Sequence, residues 1–526
     1  MEVGWFVVDM FCKALYTRLV FTLFLVCSSS LFAGPWLYQT PYSGESMMAI
    51  KSDVDLLVSY GFIKTPVTTW PIAWVNIGPP LLTDDAKKKI KTSPRAVQLA
   101  YQRILVKYNA ASSEALEGSA YASGGSKINP FRTFEWQPRS DAEGGFALEK
   151  QNSKVAANLA LNYGKYDDLT HDVHLDNSYL YLFLGNWAVG VDKMNRWWGP
   201  GYSDSMILSN NPPPLPTLTL QRMKAEAFES KWLRWIGPWT LTTSLSVGGN
   251  DVPESHPLIW LTNLSLRPFE SLQVSVSRVA FFAGETRPVN SRMLWNLAIV
   301  NDNCDSTRDG REYCDKYSPG TEHWEMTLDW DMYQALNVPA NLYLQTIYND
   351  RVPHSSAPWL YPGFRPPVPG RTAFLAGANT WFSINNALVR LYAEFEYTYQ
   401  YVYYFWGQFA HNIYGYSIYP YSYKGKLLGS PLGGEAMGYT LGGVINEENG
   451  TSDTFSVRYL RLNEDSYRGY GYPFLKQKAL WFSVGKAFTL PHNLGQLSGQ
   501  LGYLKSVEGQ GLKSAASGFV VWSRRL

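Results

Sequence analysis

Met326-Thr327-Leu328-Asp329-Trp330-Asp331-Met332 alternates without a break, with Met326, Leu328, Trp330 and Met332 on one parity and Thr327, Asp329 and Asp331 on the other. Successive side chains of a β-strand point to opposite faces, so this stretch presents one apolar and one polar face. Residues 389–399 repeat the pattern, Leu391, Ala393, Phe395 and Tyr397 opposing Arg390, Glu394 and Glu396. Shorter copies are Leu159, Leu161 and Tyr163 against Asn158 and Asn162, Leu218 and Leu220 against Thr217 and Thr219, and Leu497, Leu501 and Tyr503 against Gln496 and Gln500.

Alternation alone fits a soluble β-sandwich as well as a membrane barrel; composition and the N-terminus separate them. Charged residues are only 17% of the chain while aromatics reach 15%, with 35 Tyr and 20 Trp. Tyr and Trp have an apolar body and a polar tip and are favoured at membrane interfaces, as the girdles of outer-membrane barrels. Beyond the N-terminal leader, no uninterrupted apolar run approaches the roughly 18 residues that a spanning helix needs. In lipid every backbone polar group must be paired, which a closed sheet achieves without an edge. The expected fold is therefore an all-β membrane protein, a closed antiparallel transmembrane barrel over residues 145–526 of about 16 to 20 strands, an even number being usual. The last segment alternates Val520, Trp522 and Leu526 on one face, with Arg524 interrupting it and a non-aromatic end.

Residues 1–33 read as a signal peptide: Lys13 and Arg18 precede the apolar run Leu19 to Cys27, and the small residues Ser28, Ser29, Ser30 and Ala33 follow, with cleavage expected after Ala33. Met10 would itself open a signal of ordinary length. Residues 34–130 form an N-terminal helical segment, expected at the periplasmic side. Met47, Ile50, Val54 and Leu57 recur at helical spacing, with Gly61 as a stop. A second helix is expected from Ser93 as N-cap and Pro94 as first helical residue, with Val97, Tyr101, Ile104 and Tyr108 on one stripe. The Gly/Ser-rich stretch 118–127 then gives way, from about residue 145, to the repeated alternation.

A search for reaction chemistry finds little. No Gly-x-Ser-x-Gly nucleophile elbow occurs. His171 and His174 lie close together but lack a third metal ligand. Asn301, Asn303, Asp305, Asp309 and Glu312 imitate the spacing of a calcium loop, yet Ser306 stands where that loop needs glycine. Cys304 and Cys314 are the two cysteines outside the leader and are expected to close a polar loop as a disulfide. Neither a metal nor a cofactor is expected, and a net charge of +2 without a Lys/Arg block gives no basis for nucleic-acid binding.

The most specific segment is NRWWGPGYSDSMILSNNPPPLPTLTLQR, residues 195–222. Its proline run cannot join a central sheet and reads as a rigid loop or plug. Its W-W-G-P…L-S-N-N…P-x-P…R order closely resembles the signature of the Wzi-type capsule-assembly proteins. DVDLLVSYGFIKTPVTTWPIAW (53–74) and YGYSIYPYSYKGKLLGSPLGGEAMGY (414–439) extend the resemblance through most of the chain. The resemblance implies an outer-membrane barrel of 18 strands with a periplasmic helical bundle, a surface lectin that holds capsular polysaccharide and needs neither catalysis nor cofactor.

Sugar recognition needs flat apolar faces together with hydrogen-bonding groups. Two tracts supply both: Arg196, Trp197, Trp198, Tyr202, Asp204, Asn210 and Asn211; and Tyr414, Tyr416, Tyr419, Tyr421, Tyr423 and Lys424. Each also has a structural reading. Tyrosines of the second tract suit an interfacial girdle, and adjacent tryptophans point to opposite sides of an extended chain, which favours Trp197 and Trp198 as packing residues. The expected partners are capsular or extracellular polysaccharide, outer-membrane lipid and other capsule-assembly or export proteins, with the barrel itself a monomer. Two other functions fit the same residues. Asp329, Asp331, Arg390 and Glu394 suit the lumen of a diffusion channel unless the helical segment and the proline run plug it; paired carboxylates would also serve an enzyme acting on the polymer, although ion pairing alone accounts for them.

Overall fold

The alternating segments become a wall. The computed structural model describes residues 36–126, 129–165, 173–250, 252–299, 316–351, 369–404, 407–412, 419–463, 476–509 and 512–526. The leader at 1–33, the calcium-like loop, Cys304 and Cys314, His171, Tyr414 and Tyr416 lie outside them. The wall strands are β1 (Glu117–Ser126), β2 (Ala142–Gln151), β3 (Val155–Gly164), β4 (Val173–His174 and Tyr179–Leu184), β5 (Trp187–Asp192) and β6 (Thr217–Arg222). They continue as β7 (Trp239–Val247), β8 (Leu258–Phe269), β9 (Leu272–Phe282), β10 (Thr321–Asp331), β11 (Ala340–Arg351) and β12 (Pro369–Ile384). The last six are β13 (Ala387–Tyr397), β14 (Met437–Asn446), β15 (Ser452–Leu462), β16 (Gln477–Thr489), β17 (Gln496–Glu508) and β18 (Ala515–Arg525). Both pieces of β4 pair with β3, one at each end, so they fill a single position. Each strand is antiparallel to its neighbours, and β18 closes on β1 with Gly518 opposite Ser126 and Arg525 opposite Ser119.

The parity of each strand decides what it faces. Leu161, Leu218, Leu441, Val484 and Leu501, all from the apolar parity, are between 50% and 67% exposed, whereas the polar parity is buried. A soluble sandwich would bury the first set; a barrel presents it to lipid. No helix among the described residues is long and apolar enough to cross a membrane.

The connections sort by end. Those at 152–154, 185–186, 270–271, 385–386 and 447–451 are short turns at one end, and Asn385 and Asn386 take the positive φ values (47° and 67°) that a two-residue hairpin needs. At the other end lie the long connections 127–141, 193–216, 283–320 and 398–436.

The N-terminal segment occupies the short-turn end and enters the lumen. Helix α1 (Met47–Ser59) is capped by Ser46, whose hydroxyl accepts from Ala49 N, and ends at Tyr60 and Gly61. Its neighbours are α2 (Asp84–Lys91) and α3 (Arg95–Ala111). The expected start of α3 moves by one residue, because Pro94 is its N-cap and Ser93 lies before it. The sequence reading passed over α2, a lysine-rich helix that buries only Ala86.

Glu117–Ser126, which the sequence places within the helical segment, is wall strand β1, so the barrel begins at Glu117 rather than at 145. Small residues on both parities hide its alternation, and close neighbours require glycine at Gly125 of this strand and at Gly145 of β2 beside it. A Cβ on Gly125 would come within 2.8 Å of the Gly518 carbonyl, and one on Gly145 within 2.7 Å of the Tyr121 ring.

Candidate functional site

Three stretches far apart in sequence interlock inside the wall. Trp197 and Trp198 pair antiparallel with Trp70 and Thr69, so the 195–222 segment adds a short ribbon to the N-terminal segment. From the far side the hairpin Ser422–Tyr423 and Lys426–Leu427 descends onto the same loop. Ser209 N donates to the Leu428 carbonyl at 2.8 Å, the Tyr421 hydroxyl to the Ile207 carbonyl at 2.6 Å, and Asn211 Nδ2 to the Leu427 carbonyl at 3.0 Å. A continuous stack thus runs from α1 through the proline loop to the 419–432 loop.

The adjacent tryptophans do point apart. Trp197 packs with Trp70, Phe134 and α1, its ring centroid 5.5 Å from that of Phe134 in an edge-on contact. Trp198 belongs to the other core, with Ile207, Tyr343 and Tyr421. Both are buried.

The polar members of the first tract are buried beside them and bonded. Arg196 Nη2 reaches Asp192 Oδ2 at 2.8 Å and both Thr217 and Thr219 hydroxyls at 3.0 Å. The Tyr202 hydroxyl donates to Asp55 Oδ2 of α1 at 2.6 Å, its backbone N donates to Glu394 Oε1 at 2.7 Å, and its ring stacks on Tyr392 at 5.0 Å. Asp204 accepts from Ser430 Oγ at 2.9 Å and lies 3.6 Å from Arg458 Nη2; burial, then the Glu396 charge, push its carboxyl well above the usual aspartate range, with Arg458 opposing them. Asn210 Nδ2 donates to the Thr133 and Phe134 carbonyls, both at 3.2 Å.

Of the second tract, Tyr421 is wholly buried, and Tyr423 nearly so. Tyr419 is buried too, donating to the Ala283 carbonyl at 2.8 Å and accepting from Arg287 Nη1 at 3.1 Å. Lys424 differs: it is half-buried at the hairpin tip, where its φ of 52° and that of 69° at Gly425 make the tight turn. Gly425 and Lys426 beside it are exposed.

Several residues essential to this arrangement escaped the sequence reading. Glu135 accepts at the first turn of α1, from Ser46 Oγ at 2.6 Å, Met47 N at 2.9 Å and Met48 N at 3.2 Å, which places an anion against the helix N-terminus. Arg139 grips the proline loop through the Asn210 and Asn211 carbonyls, both at 2.9 Å. Arg390, read as pore-lining, donates to Ser52 Oγ and the Ser52 carbonyl of α1, each at 3.0 Å. Nothing local in the sequence marks these pairings, whose partners are 71 to 338 positions away. A polar cavity between Tyr121, Trp136, Arg139, Asn162 and Asp176 has a volume of about 10 Å³, room for about one water molecule and far too small for a sugar.

A sequence model of the family described as capsule assembly protein Wzi matches residues 133–501, more than half of the chain. The chain belongs to the Wzi capsule-assembly family. Its match spans the proline loop, the 419–432 loop and wall strands from β2 into β17. A curated relative, an uncharacterised 55.8 kDa protein in the cps region of Klebsiella pneumoniae, is 24% identical over 304 residues, which are 57% of this chain and 57% of that protein. The chain thus spans little more than half the length of that relative. Among solved structures, Wzi of Escherichia coli, described as an outer-membrane protein involved in group 1 capsule assembly and a carbohydrate-binding β-barrel, aligns with 95% of this chain and 99% of its own. The TM-score is 0.72 at 19% identity, a likeness of fold. With its closed wall and exposed apolar belt, this Wzi-family protein is an outer-membrane barrel.

Proposed function

We propose that this barrel binds capsular or extracellular polysaccharide and attaches it to the cell surface during capsule assembly, by binding and without chemistry. The observation that carries the reading is the interlocked stack, which fills the lumen of a Wzi-family barrel where a pore would otherwise be. The carbohydrate binding described for the Escherichia coli relative supports it. We assign the short-turn end, with α1, α2 and α3, to the periplasm, as outer-membrane barrels keep short turns there and long loops outside. Arg196, Trp197, Trp198, Tyr202, Asp204, Asn210 and Asn211 then build the floor under the outer loops, because buried and bonded side chains have no face left for a polymer. Polymer contact falls to the outer rim, where Lys424 and Lys426 stand at the hairpin tip and Tyr414 and Tyr416 belong to the same connection. The barrel acts as a monomer in this reading, alongside export proteins that supply the polymer.

The test compares cell-attached with released polysaccharide in a strain lacking the protein, and in one carrying Lys424→Ala with Lys426→Ala. The deletion should shift polymer from cells to medium, and the double variant should do so in part with a folded barrel. Wild-type retention in the deletion strain would remove the proposal. Shortened or deacetylated polymer after incubation with purified protein would replace binding by catalysis.

A further inference from the structure

Between β9 and β10 the chain forms helix α4 (Ser291–Ala298), which does not sit over the lumen. Its place follows from strand parity. Gln273 and Ser275 of β9 face inward, where they bond Val67 N at 2.7 Å and Thr68 Oγ1 at 3.2 Å. β9 pairs with β10 without a register shift, so Arg278, Ala280 and Phe282 face outward, beside Trp260, Trp324 and Glu322 of the adjoining strands. Met293 and Leu297 of α4 are buried against Ala280 and Phe282, with Trp260 packed at the edge. The helix therefore lies on the membrane side of the wall, at the long-connection rim.

We propose that α4 is seated in the outer leaflet of the membrane, with Leu294, Trp295 and Ile299 in contact with lipid. Two observations point to lipid as what covers this face. First, Leu294 and Trp295 of α4 and its C-cap residue Ile299 are 44%, 64% and 45% exposed, although the wall-facing side of the helix is already apolar. A helix bordering water carries a polar outer face, whereas one apolar on both sides belongs in an apolar medium, and Trp is favoured at the membrane interface. Of its polar residues, Asn296 is buried and donates to the Tyr317 carbonyl at 2.9 Å, while Ser291 and Arg292 are exposed one turn before Trp295, at the N-terminal end. Second, the face continues the belt, since Leu264, Val276 and Met326 on β8, β9 and β10 are exposed on the same outward parity.

Sealing the wall gives the helix a reason to be there. Arg278 is an outward-facing arginine on a membrane strand, a placement that costs stability unless its charge is met. It is buried, paired with Glu322 (Nε to Oε2 3.1 Å), and donates to the Leu297 carbonyl of α4 at 2.5 Å. The rings of Trp260 and Trp324 each lie 5.0 Å away. The last carbonyls of a helix favour a cation, so α4 adds an acceptor for the guanidinium and covers this pair.

The experiment measures depth in the full-length barrel. Cys304 and Cys314 are replaced by Ser, Trp295→Cys is introduced, and the new thiol carries a nitrobenzoxadiazole fluorophore in phosphatidylcholine proteoliposomes. Val276→Cys is the lipid-facing control and Glu285→Cys the water-exposed one, and each variant is first checked for heat-modifiable mobility. Leu294→Cys reports the same face if Trp295→Cys does not fold. Nitroxide-labelled phospholipid should quench the position-295 label at least half as strongly as the position-276 label. Aqueous iodide should quench it several-fold less than the label at position 285. Iodide quenching equal to that control would overturn the proposal. So would protection from both quenchers, which would place a second copy or another protein on the face.

Discussion

Tyr202 is held from three directions at once, by Asp55 of the plug, by Glu394 of the wall and by the stacked ring of Tyr392. Tyr202→Phe keeps the stack and removes the hydroxyl, leaving Asp55 with Lys51 at 3.3 Å. The expected loss is about 1 to 3 kcal/mol, the cost of a buried acceptor losing its donor, read as a lower temperature for loss of the folded band on gels. Trp197→Ala empties a fully buried site and should cost about 3 to 5 kcal/mol; capsule retention should then fall only in step with the folded fraction. Normal gel mobility with lost retention would instead put the Trp197 ring against polymer. Asp204 adds a pH dependence. Its carboxyl is pushed up by burial first and by Glu396 second. A carboxyl raised in the fold stabilises while it is protonated: that contribution is complete below the ordinary aspartate value of about 4 and fades as pH rises through the raised one. Thermal stability of the barrel should decline as pH is raised from mildly acidic to alkaline, and Asp204→Asn should flatten that decline; a slope unchanged by the substitution would exclude Asp204 as its source. At this scale the sequence was legible in kind but not in place. The opposed directions of Trp197 and Trp198 could be read from an extended backbone, whereas the burial of Arg196 and Asp204 depends on partners such as Thr219 and Ser430 that local spacing does not reveal.

Helix α1 was visible in its spacing because Met47, Ile50, Val54 and Leu57 enter one apolar core, shared with Trp197 of the proline loop and Trp381 and Val444 of the wall. What the spacing could not show is that its polar residues are buried as well. Asp53 takes both Arg103 contacts of α3 at 2.7 Å and accepts from Asn446 of β14 at 2.9 Å, tying helix to helix and helix to wall. Arg103→Ala would leave Asp53 a buried carboxylate with only Asn446 to meet it, a change worth about 3 kcal/mol when a paired buried charge loses its partner. The measurable outcome is faster proteolysis within residues 84–111 while the wall keeps its heat-modifiable mobility. Equal protection of wild type and variant would mean that apolar packing alone holds the plug. β1 is the opposite case. Pattern reading depends on bulky residues on one parity, and a strand of Gly, Ala and Ser between Glu117 and Ser126 offers only Tyr121, yet backbone pairing to β18 and β2 makes it a strand regardless.

For the molecule as a whole, the filled lumen predicts that the purified barrel in a planar bilayer passes no large steady current, and large, steady open-channel conductance would restore the diffusion-channel reading. The closed wall could be read ahead of the structure, since alternation and aromatic load are properties of many residues at once; the filling could not, since it arises where the 53–74, 195–222 and 414–439 stretches meet. The order of those stretches along the chain carries a consequence for how the protein is made. The plug helices precede every wall strand, and β1, which follows them directly, is also the strand on which β18 must finally zip. A chain exported from its N-terminus would deliver α1 while the wall that will surround it is still incomplete. Arg390 and Asn446, which grip α1, are in the last third of the chain. We therefore expect the cylinder to assemble around the helices, like a mandrel left inside a rolled sheet, with the seam between β18 and β1 shutting last.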